Sequence, residues 1–160
     1  MKHLICSLLV SLLLVPLVWS QTRAIQPVRI EAQTAQDETI SYIYEESHAL
    51  IIGVSEYNNG WSKLPGVKTD VEEVSRALEK NGFDVEVVED PTLDELEIAI
   101  EDFIFEKGAN PENRLLIYYA GHGHTKTLGY GGEMGYLVPA DAPLPKKGRD
   151  IAFQRSVMSM

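Results

Sequence analysis

The pattern of hydrophobic and polar residues predicts three strands of two kinds. His48–Val54 and Leu115–Tyr119 are almost continuously apolar over the length of a strand. Such runs are typical of strands buried on both faces of a parallel sheet. Phe83–Val88 instead alternates, with Asp84 and Glu86 on one face and apolar residues on the other. We therefore expect two buried strands, the first of them central, and a third strand with a polar face.

Apolar residues at helical spacing fill the two intervals between these strands. Thr69 and Glu72 have the spacing of a capping box, so the first helix is predicted to begin there and to stop at Asn81-Gly82. A second capping box opens another helix, which is predicted to end at Gly108. The second capping box is formed by Thr92 and Glu95. The apolar positions of the first helix are Val71, Val74 and Leu78. Those of the second helix are Leu93, Leu96, Ile100, Phe103 and Ile104. Both segments are interpreted as amphipathic helices.

The resulting order is strand, helix, strand, helix, strand. Alternation of this kind predicts an α/β fold, a three-layer sandwich with a mainly parallel sheet and right-handed crossovers. In such sheets the catalytic and ligand-binding residues lie at the carboxyl ends of the strands. We therefore look for functional residues in the loops after the strands, including the turn-rich loop Ser55–Gly66.

Residues 1–20 have the features of a secretory signal peptide. A basic start at Lys2 precedes an apolar run from Leu4 to Trp19, and Ser20 is a small residue at a plausible cleavage point. A membrane anchor is the alternative, although the run is shorter than the roughly 20 apolar residues that a spanning helix needs. Cys6 lies inside the run, where a lipidated cysteine is not expected. We expect an exported protein, periplasmic or secreted, without membrane contact after cleavage.

The segment after the predicted signal differs from the rest of the chain. Residues 21–46 are polar, rich in Gln, Thr, Ala and Glu, and show no sustained period. They are interpreted as a linker or a loosely ordered lead-in. The folded domain is assigned to residues 47–160, beginning close to Glu46.

The composition and net charge of the chain argue against some classes of binding partner. The net charge of −10 argues against a nucleic-acid or anionic-membrane partner, because both favour basic surfaces. An acidic surface is compatible with basic peptide substrates, although solubility is its simpler meaning. The one cysteine, Cys6, lies in the predicted signal, so no disulfide or thiolate metal site is expected within the remainder.

His122 is the strongest candidate for a catalytic residue. It stands between Gly121 and Gly123 just after the third strand, where a ring would be exposed on a rigid support and the backbone could approach a substrate closely. A loop histidine beside a tight turn is the simpler alternative. His122 and His124 could also bind a metal together, but no acidic or thiol ligand stands at suitable spacing before Glu133. We expect no metal site.

Four segments read together resemble the successive motifs of bacterial caspase-like and metacaspase peptidases. The segments are Ala49–Tyr57, Leu64–Asp70, Tyr118–Gly123 and Tyr136–Asp141. The Tyr-Ala-Gly-His-Gly element is the most specific, and the resemblance covers residues 48–160. It implies a caspase-like domain with flavodoxin-like strand order, incomplete at its carboxyl end, that acts as a cysteine endopeptidase.

The resemblance implies roles for several residues. In that family a cysteine thiolate attacks the peptide carbonyl, so His122 matches the histidine that transfers protons, and the Gly123 N–H matches an oxyanion donor. Family spacing places the cysteine about 50 residues after the histidine, at roughly position 172 and beyond Met160. The last segment, Asp150–Met160, resembles the helix before the cysteine-bearing strand. The expectation is a fragment that is inactive alone.

Asp70 matches a position that is acidic in metacaspases and holds a basic side chain before the scissile bond. This implies cleavage after Arg or Lys. From the residues alone, the simpler role of Asp70 is to favour the positive end of its helix. True caspases hold aspartate with an arginine, and the surroundings of Lys68 do not reproduce that pattern. Asp141 and Glu133 could hold calcium, as in some metacaspases, although loop carboxylates are usually only solvated, and no other cofactor is expected.

Three hypotheses follow. The first is a cysteine endopeptidase acting on proteins or peptides, the second a catalytically inactive caspase-like scaffold or interaction domain, and the third a small α/β domain whose histidines bind metal. A cysteine in the strand after Met160 separates the first two, and metal titration tests the third. Pairing of the complete protein into a dimer through a sheet edge is a further expectation from the resemblance.

Overall fold

The structure, a computed structural model, describes residues 28–33, 39–146 and 150–160. The predicted signal peptide lies outside the described residues. The elements in chain order are β1 Val28–Gln33, β2 Thr39–Tyr44, β3 Ser47–Gly53, α1 Gly66–Lys80, β4 Asp84–Glu89, α2 Leu93–Lys107, β5 Arg114–Ala120, β6 Gly123–Thr127, β7 Glu133–Leu137, α3 Asp150–Gln154 and β8 Met158–Ser159. The three strands and two long helices expected from the pattern are all present.

A parallel sheet with β3 at its centre organises the domain. β3 pairs in parallel with β4 on one side and with β5 on the other, and all seven of its residues are buried. The order second, first, third is that of flavodoxin-like sheets, so the predicted α/β architecture is confirmed. Gly53 at the end of β3 is level with Glu89 of β4 and Ala120 of β5. The loops that follow the three strands therefore meet at one edge of the sheet.

The two long helices cover opposite faces of this sheet. Alternate residues of a strand point to opposite sides, and β3 buries both sets. Ile51 packs with Val67 and Val71 of α1. Leu50 and Ile52 pack on the other side against three residues of α2, namely Leu96, Ile100 and Phe103. The result is the expected three-layer arrangement.

α1 begins a full turn before the capping box predicted at Thr69 and Glu72. Its N-cap is Pro65, with φ −61° and ψ −23°, and no side chain caps the helix. Val67 is buried and extends the apolar stripe of Val71 by one turn, while the fixed φ of proline suits the start of a helix. The predicted start was wrong because packing in the first turn outweighs a capping signal.

α2 begins as predicted. The Thr92 hydroxyl accepts the N–H of Glu95, and the Glu95 carboxylate accepts the N–H of Thr92 at 2.9 Å, which completes the capping box. The helix ends at Gly108, as the pattern indicates. Within the described residues, neither this helix nor any other is long and apolar enough to cross a bilayer.

Part of the segment interpreted as a linker or loosely ordered lead-in is a β-hairpin. β1 and β2 pair antiparallel, with Val28 opposite Tyr44 and Ile30 opposite Tyr42. β1 alternates between apolar and polar residues, and the register places its apolar residues opposite Tyr44, Tyr42 and Ile40 of β2. The interpretation of residues 21–46 was therefore wrong for β1 and β2, because a period of two over six residues was too short to be recognised.

A second, smaller sheet follows the parallel sheet. Its order is β6-β7-β8, and both pairings are antiparallel. Tyr136 and Val138 form a hydrophobic cluster with Phe153, Val157 and Tyr57, which joins this sheet to the loop after β3. The helix expected over Asp150–Met160 is confined to α3, because Met158 and Ser159 pair with β7 instead.

Candidate active site

His122 lies at the carboxyl edge of the parallel sheet, two residues after β5 ends at Ala120. Its N–H donates to the Tyr57 hydroxyl at 2.7 Å, and its carbonyl accepts the N–H of Val138 at 3.1 Å. The Tyr119 hydroxyl lies 3.2 Å from the same carbonyl and donates to the Val138 carbonyl at 2.7 Å. The backbone of His122 is therefore fixed between the loop after β3 and the residue after β7.

The two tyrosine hydroxyls also explain why residue 121 is a glycine. A Cβ at this position would lie 2.6 Å from the hydroxyl oxygen of Tyr119 and 2.9 Å from that of Tyr57. Both distances are shorter than Cβ contacts in proteins, so any larger residue would displace hydroxyls that hold the backbone of His122. Burial raises the pKa of Tyr57 and of Tyr119 above the ordinary value of 10.0. Both hydroxyls therefore keep their protons at neutral pH and act as uncharged hydrogen-bonding groups.

The imidazole of His122 is oriented by the loop between β3 and α1. Its Nε2 lies 2.9 Å from the carbonyl oxygen of Ser62 and 3.2 Å from the Ser62 hydroxyl. Because a carbonyl only accepts, Nε2 carries a proton in this arrangement, and the neutral ring keeps its lone pair on Nδ1. The rings of Tyr57 and Trp61 flank the imidazole, with centroids 4.8 and 5.0 Å away. The ring is thus held in one orientation that leaves Nδ1 able to accept a proton.

Asp90 anchors the loop that carries these contacts. Its carboxylate accepts the N–H of Ser55 at 2.6 Å and the N–H of Glu56 at 2.8 Å. Asp90 has a φ of 49°, in the left-handed region that aspartate enters more readily than most residues. The loops after β3 and β4 are therefore joined by one carboxylate, immediately before Tyr57.

Gly123 opens β6, which lies at the edge of the second sheet. It is paired with Leu137 of β7. Val138 donates to the carbonyl of His122, so the pair is of the non-hydrogen-bonded kind and the Gly123 N–H points away from β7. A Cβ at this position would lie 3.7 Å from the carbonyl oxygen of Tyr136, an ordinary contact. Packing within the chain therefore does not by itself require glycine here.

Asp70 lies in α1, on the edge of an open cleft. It is exposed and stands beyond the first turn of the helix, which contains no acidic residue. The dipole role considered for Asp70 is weakened, because the effect falls off within the first turn. The cleft has a volume of about 490 Å³ and is lined by Leu64, Pro65, Gly66, Val67, Asp70, Tyr118, Tyr119, Ala120 and Gly121. The structure thus brings Asp70 to the same cleft as Gly121, the neighbour of His122.

The other candidate metal ligands have separate surroundings. The ring of His124 meets that of Phe153 edge-on, with centroids 4.8 Å apart. Asp141 accepts the N–H of Leu93 at 3.0 Å at the start of α2, and Glu133 lies at the beginning of β7. Across the described ranges, no group of three His, Cys, Asp or Glu residues is arranged to hold a metal ion. Asp141 therefore has a structural partner at a helix start.

Three residues around His122 were not predicted from the sequence. Tyr57, Trp61 and Ser62 all come from the loop after β3, which was recognised as turn-rich and, as far as Tyr57, as part of a segment that resembles the family. Two aromatic residues in a loop at the active edge of a sheet were the available signal. The contact with the Ser62 carbonyl could not be predicted from residue type, because every residue has a backbone carbonyl.

The family model for the caspase domain matches residues 46–156. The match covers more than half of the chain, and the chain belongs to this family. It spans the parallel sheet, both long helices and α3, and includes His122, Gly123 and Asp70. The chain is thus a caspase-like domain of the cysteine-peptidase type. No curated protein matches the chain.

Proposed function

We propose that this domain belongs to a cysteine endopeptidase in which His122 is the proton-transfer residue of a His/Cys dyad. The observation that carries the proposal is the orientation of the imidazole. Its Nε2 is bound to the Ser62 carbonyl, which leaves the lone pair on Nδ1 at the carboxyl edge of the sheet. A base that is held by a third group beside a cleft is the arrangement that nucleophilic catalysis requires.

The nucleophile in this proposal is a cysteine that follows Met160. Residues 1–160 contain one cysteine, Cys6, which lies in the predicted signal and outside the described residues. In caspase-type sequences the cysteine follows the histidine by about 50 residues. The domain without that segment is expected to be inactive as a peptidase.

The reaction proceeds in two stages. The cysteine thiol gives its proton to Nδ1 of His122, and the thiolate attacks the carbonyl carbon of the scissile peptide bond. The His122 imidazolium then gives that proton to the departing amine as the C–N bond breaks, which leaves a thioester. Water attacks the thioester after losing a proton to His122, and the returned proton restores the thiol as the acid product leaves. The two stages balance in atoms and protons with the thiol, His122, the peptide and water alone.

The N–H of Gly123 is proposed to stabilise the oxyanion formed in both stages. Its direction away from β7 and its position next to His122 support this role. A fixed backbone donor stabilises the charge that develops on the substrate oxygen without reorganising at the moment of reaction. The lack of a side chain at Gly123 also lets a substrate carbonyl approach closely.

Asp70 is proposed to select Arg or Lys before the scissile bond. Its carboxylate is exposed on the cleft that ends beside His122. A guanidinium or ammonium group entering the cleft would form a charge-assisted hydrogen bond with it. The substrates are therefore proteins or peptides with exposed basic residues, which the net charge of −10 also favours.

We also propose that the protein is exported to the periplasm or secreted. The support is the sequence of residues 1–20, in which a basic start, a short apolar run and a small residue follow one another. This location would bring the peptidase to proteins outside the cytoplasm.

The first test measures hydrolysis by the complete protein of peptides with Arg, Lys or Asp before the scissile bond. We expect cleavage after Arg and Lys, inhibition by thiol alkylation, and a loss of at least about 100-fold in the His122→Ala variant. Asp70→Asn should reduce kcat/KM for Arg and Lys peptides by about 10- to 100-fold, the value of a hydrogen bond to a charged group.

Hydrolysis that His122→Ala leaves unchanged would contradict the proposed dyad. Cleavage after Asp would contradict the role of Asp70. A complete protein without a cysteine in the following strand, and without hydrolysis, would support the inactive scaffold instead.

A further inference from the structure

Tyr57 makes two different contacts with His122. Its hydroxyl accepts the His122 N–H at 2.7 Å, and its ring lies beside the imidazole at a centroid distance of 4.8 Å. One residue of the loop after β3 therefore touches both the backbone and the side chain of the proposed catalytic histidine. Tyr57 itself is 6% exposed, so its position is set by packing.

We propose that Tyr57 is a positioning residue of the peptidase, whose hydroxyl sets the backbone at His122 and thereby the direction of the imidazole. The inference rests on the proposed function. The backbone of His122 is flanked by two glycines, which restrict a chain less than other residues do. Hydrogen bonds from outside the segment must therefore fix it, and on the N–H side that bond is to Tyr57.

The bond to Tyr57 also supports the direction of the Gly123 amide. His122 and Gly123 share a peptide unit, so a rotation at His122 would move the proposed oxyanion donor as well as the proposed base. The carbonyl of that unit is held by Val138 at 3.1 Å. Together, the bonds to Tyr57 and Val138 fix both ends of His122, and the loss of one frees the residue to turn.

Tyr57 is held in place by Asp90. The Asp90 carboxylate accepts the N–H groups of Ser55 and Glu56, the two residues before Tyr57. These bonds link the ends of β3 and β4, and Tyr57 extends the link to His122 after β5. A carboxylate that binds two amides at once is a firm anchor, because hydrogen bonds to charged acceptors are shorter and stronger than neutral ones.

The experiment compares Tyr57→Phe in the complete protein with Tyr136→Phe as a matched control. Phenylalanine keeps the ring beside His122 and removes only the hydroxyl. Tyr136 is buried in the same hydrophobic cluster, but its ring contacts Phe153 rather than His122. We expect Tyr57→Phe to lower kcat by about tenfold or more with KM within about twofold, since small misplacements of a catalytic group cost up to about 100-fold. Tyr136→Phe should leave kcat within about twofold.

Amide hydrogen exchange gives a second readout that does not depend on activity. The His122 amide should exchange at least about tenfold faster in Tyr57→Phe, because its acceptor is lost. The Val54 amide donates to the Ala120 carbonyl at 2.8 Å and should keep its rate, which shows that the sheet remains folded.

The outcomes separate the two proposals. Activity that depends on His122 but is unaffected by Tyr57→Phe would overturn the positioning role and leave the peptidase intact. An absence of peptidase activity would overturn the proposed function, and unchanged exchange at His122 would then overturn the positioning as well. Faster exchange at both His122 and Val54 would show general destabilisation and would also overturn it.

Discussion

The two ends of the parallel sheet each hold a histidine, and their surroundings differ in kind. At the amino end, His48 is 5% exposed. Its Nε2 lies 2.9 Å from the Glu46 carboxylate, and its Nδ1 lies 3.4 Å from Asp84 without hydrogen-bond geometry. At the carboxyl end, His122 is only partly buried, and its one bonded nitrogen faces the oxygens of Ser62.

The difference shows that surroundings, rather than residue type, distinguish a structural histidine from a candidate catalytic one. Both nitrogens of His48 face carboxylates and the ring is buried at the start of β3, so it offers nothing to a substrate. Neighbouring polar groups at that end also bind one another, since Arg114 donates to the Ser47 hydroxyl and stacks on Phe83. His122 instead combines a supported ring with an adjacent cleft.

The largest effect expected from changes at these two ends concerns a backbone group at the carboxyl end. Gly123→Pro removes the proposed oxyanion N–H, and an edge strand tolerates proline where the N–H points away from its partner. The loss of one such donor costs about 100- to 1,000-fold in kcat. Gly123→Ala keeps the N–H and meets only an ordinary contact, so its loss should be below about tenfold.

Kinetic measurements on the complete protein, with thermal unfolding as a check on folding, compare the two variants. Equal losses of kcat in both would mean that the space above Gly123, and not its amide, is what matters. Retention of more than about a tenth of kcat in the proline variant would remove Gly123 from the oxyanion role.

The next largest effect is expected at the amino end of the sheet, where a change of His48 should lower the stability of the fold. His48→Ala should lower the free energy of unfolding by about 1–3 kcal/mol, because it removes a buried ring, while the two partly exposed carboxylates regain water. The kcat of the folded protein should stay unchanged. Urea unfolding measures the first quantity and peptide hydrolysis the second. A fall in kcat without a fall in stability would break the distinction between the two histidines.

Much of the fold could be predicted because its signals are local. β3 and β5 are continuous apolar runs, and α2 carries both a capping box and a terminal glycine. The hairpin β1-β2 was missed because its alternation is short. The start of α1 was misplaced because Val67 packs on β3, a contact that the capping pattern at Thr69 does not reveal.

The supports of the candidate site could not be predicted, because they join residues far apart in the chain. Tyr57 and His122 are 65 positions apart, and Ser55 and Asp90 are 35 apart. Their contacts exist only once the parallel sheet brings the carboxyl ends of its strands together. The motif around His122 indicated the candidate catalytic histidine by resemblance, whereas its orientation depends on this folded edge.

The smallest expected effect concerns the two helices that begin at this edge. Thr92→Ala should cost about 1 kcal/mol of stability, since its hydroxyl caps α2. Thr69→Ala should change stability by less than about 0.5 kcal/mol, because Thr69 is exposed within α1 and caps nothing. Urea unfolding of both variants tests this difference. An equal cost would mean that α1 begins at Thr69 in solution.

The pH dependence separates the two halves of the capping box in α2. Hydrogen bonds from the Thr92 N–H and hydroxyl lower the pKa of Glu95 below its ordinary value of 4.5. A pKa that is lower in the folded state gives stability that is present above 4.5 and is lost as the pH falls through the folded value. The destabilisation by Glu95→Ala should therefore fade in acid, while part of that by Thr92→Ala persists, because the hydroxyl also accepts the N–H of Glu95 and that bond does not titrate. Parallel curves for the two variants would show that the carboxylate of Glu95 does not contribute to the box.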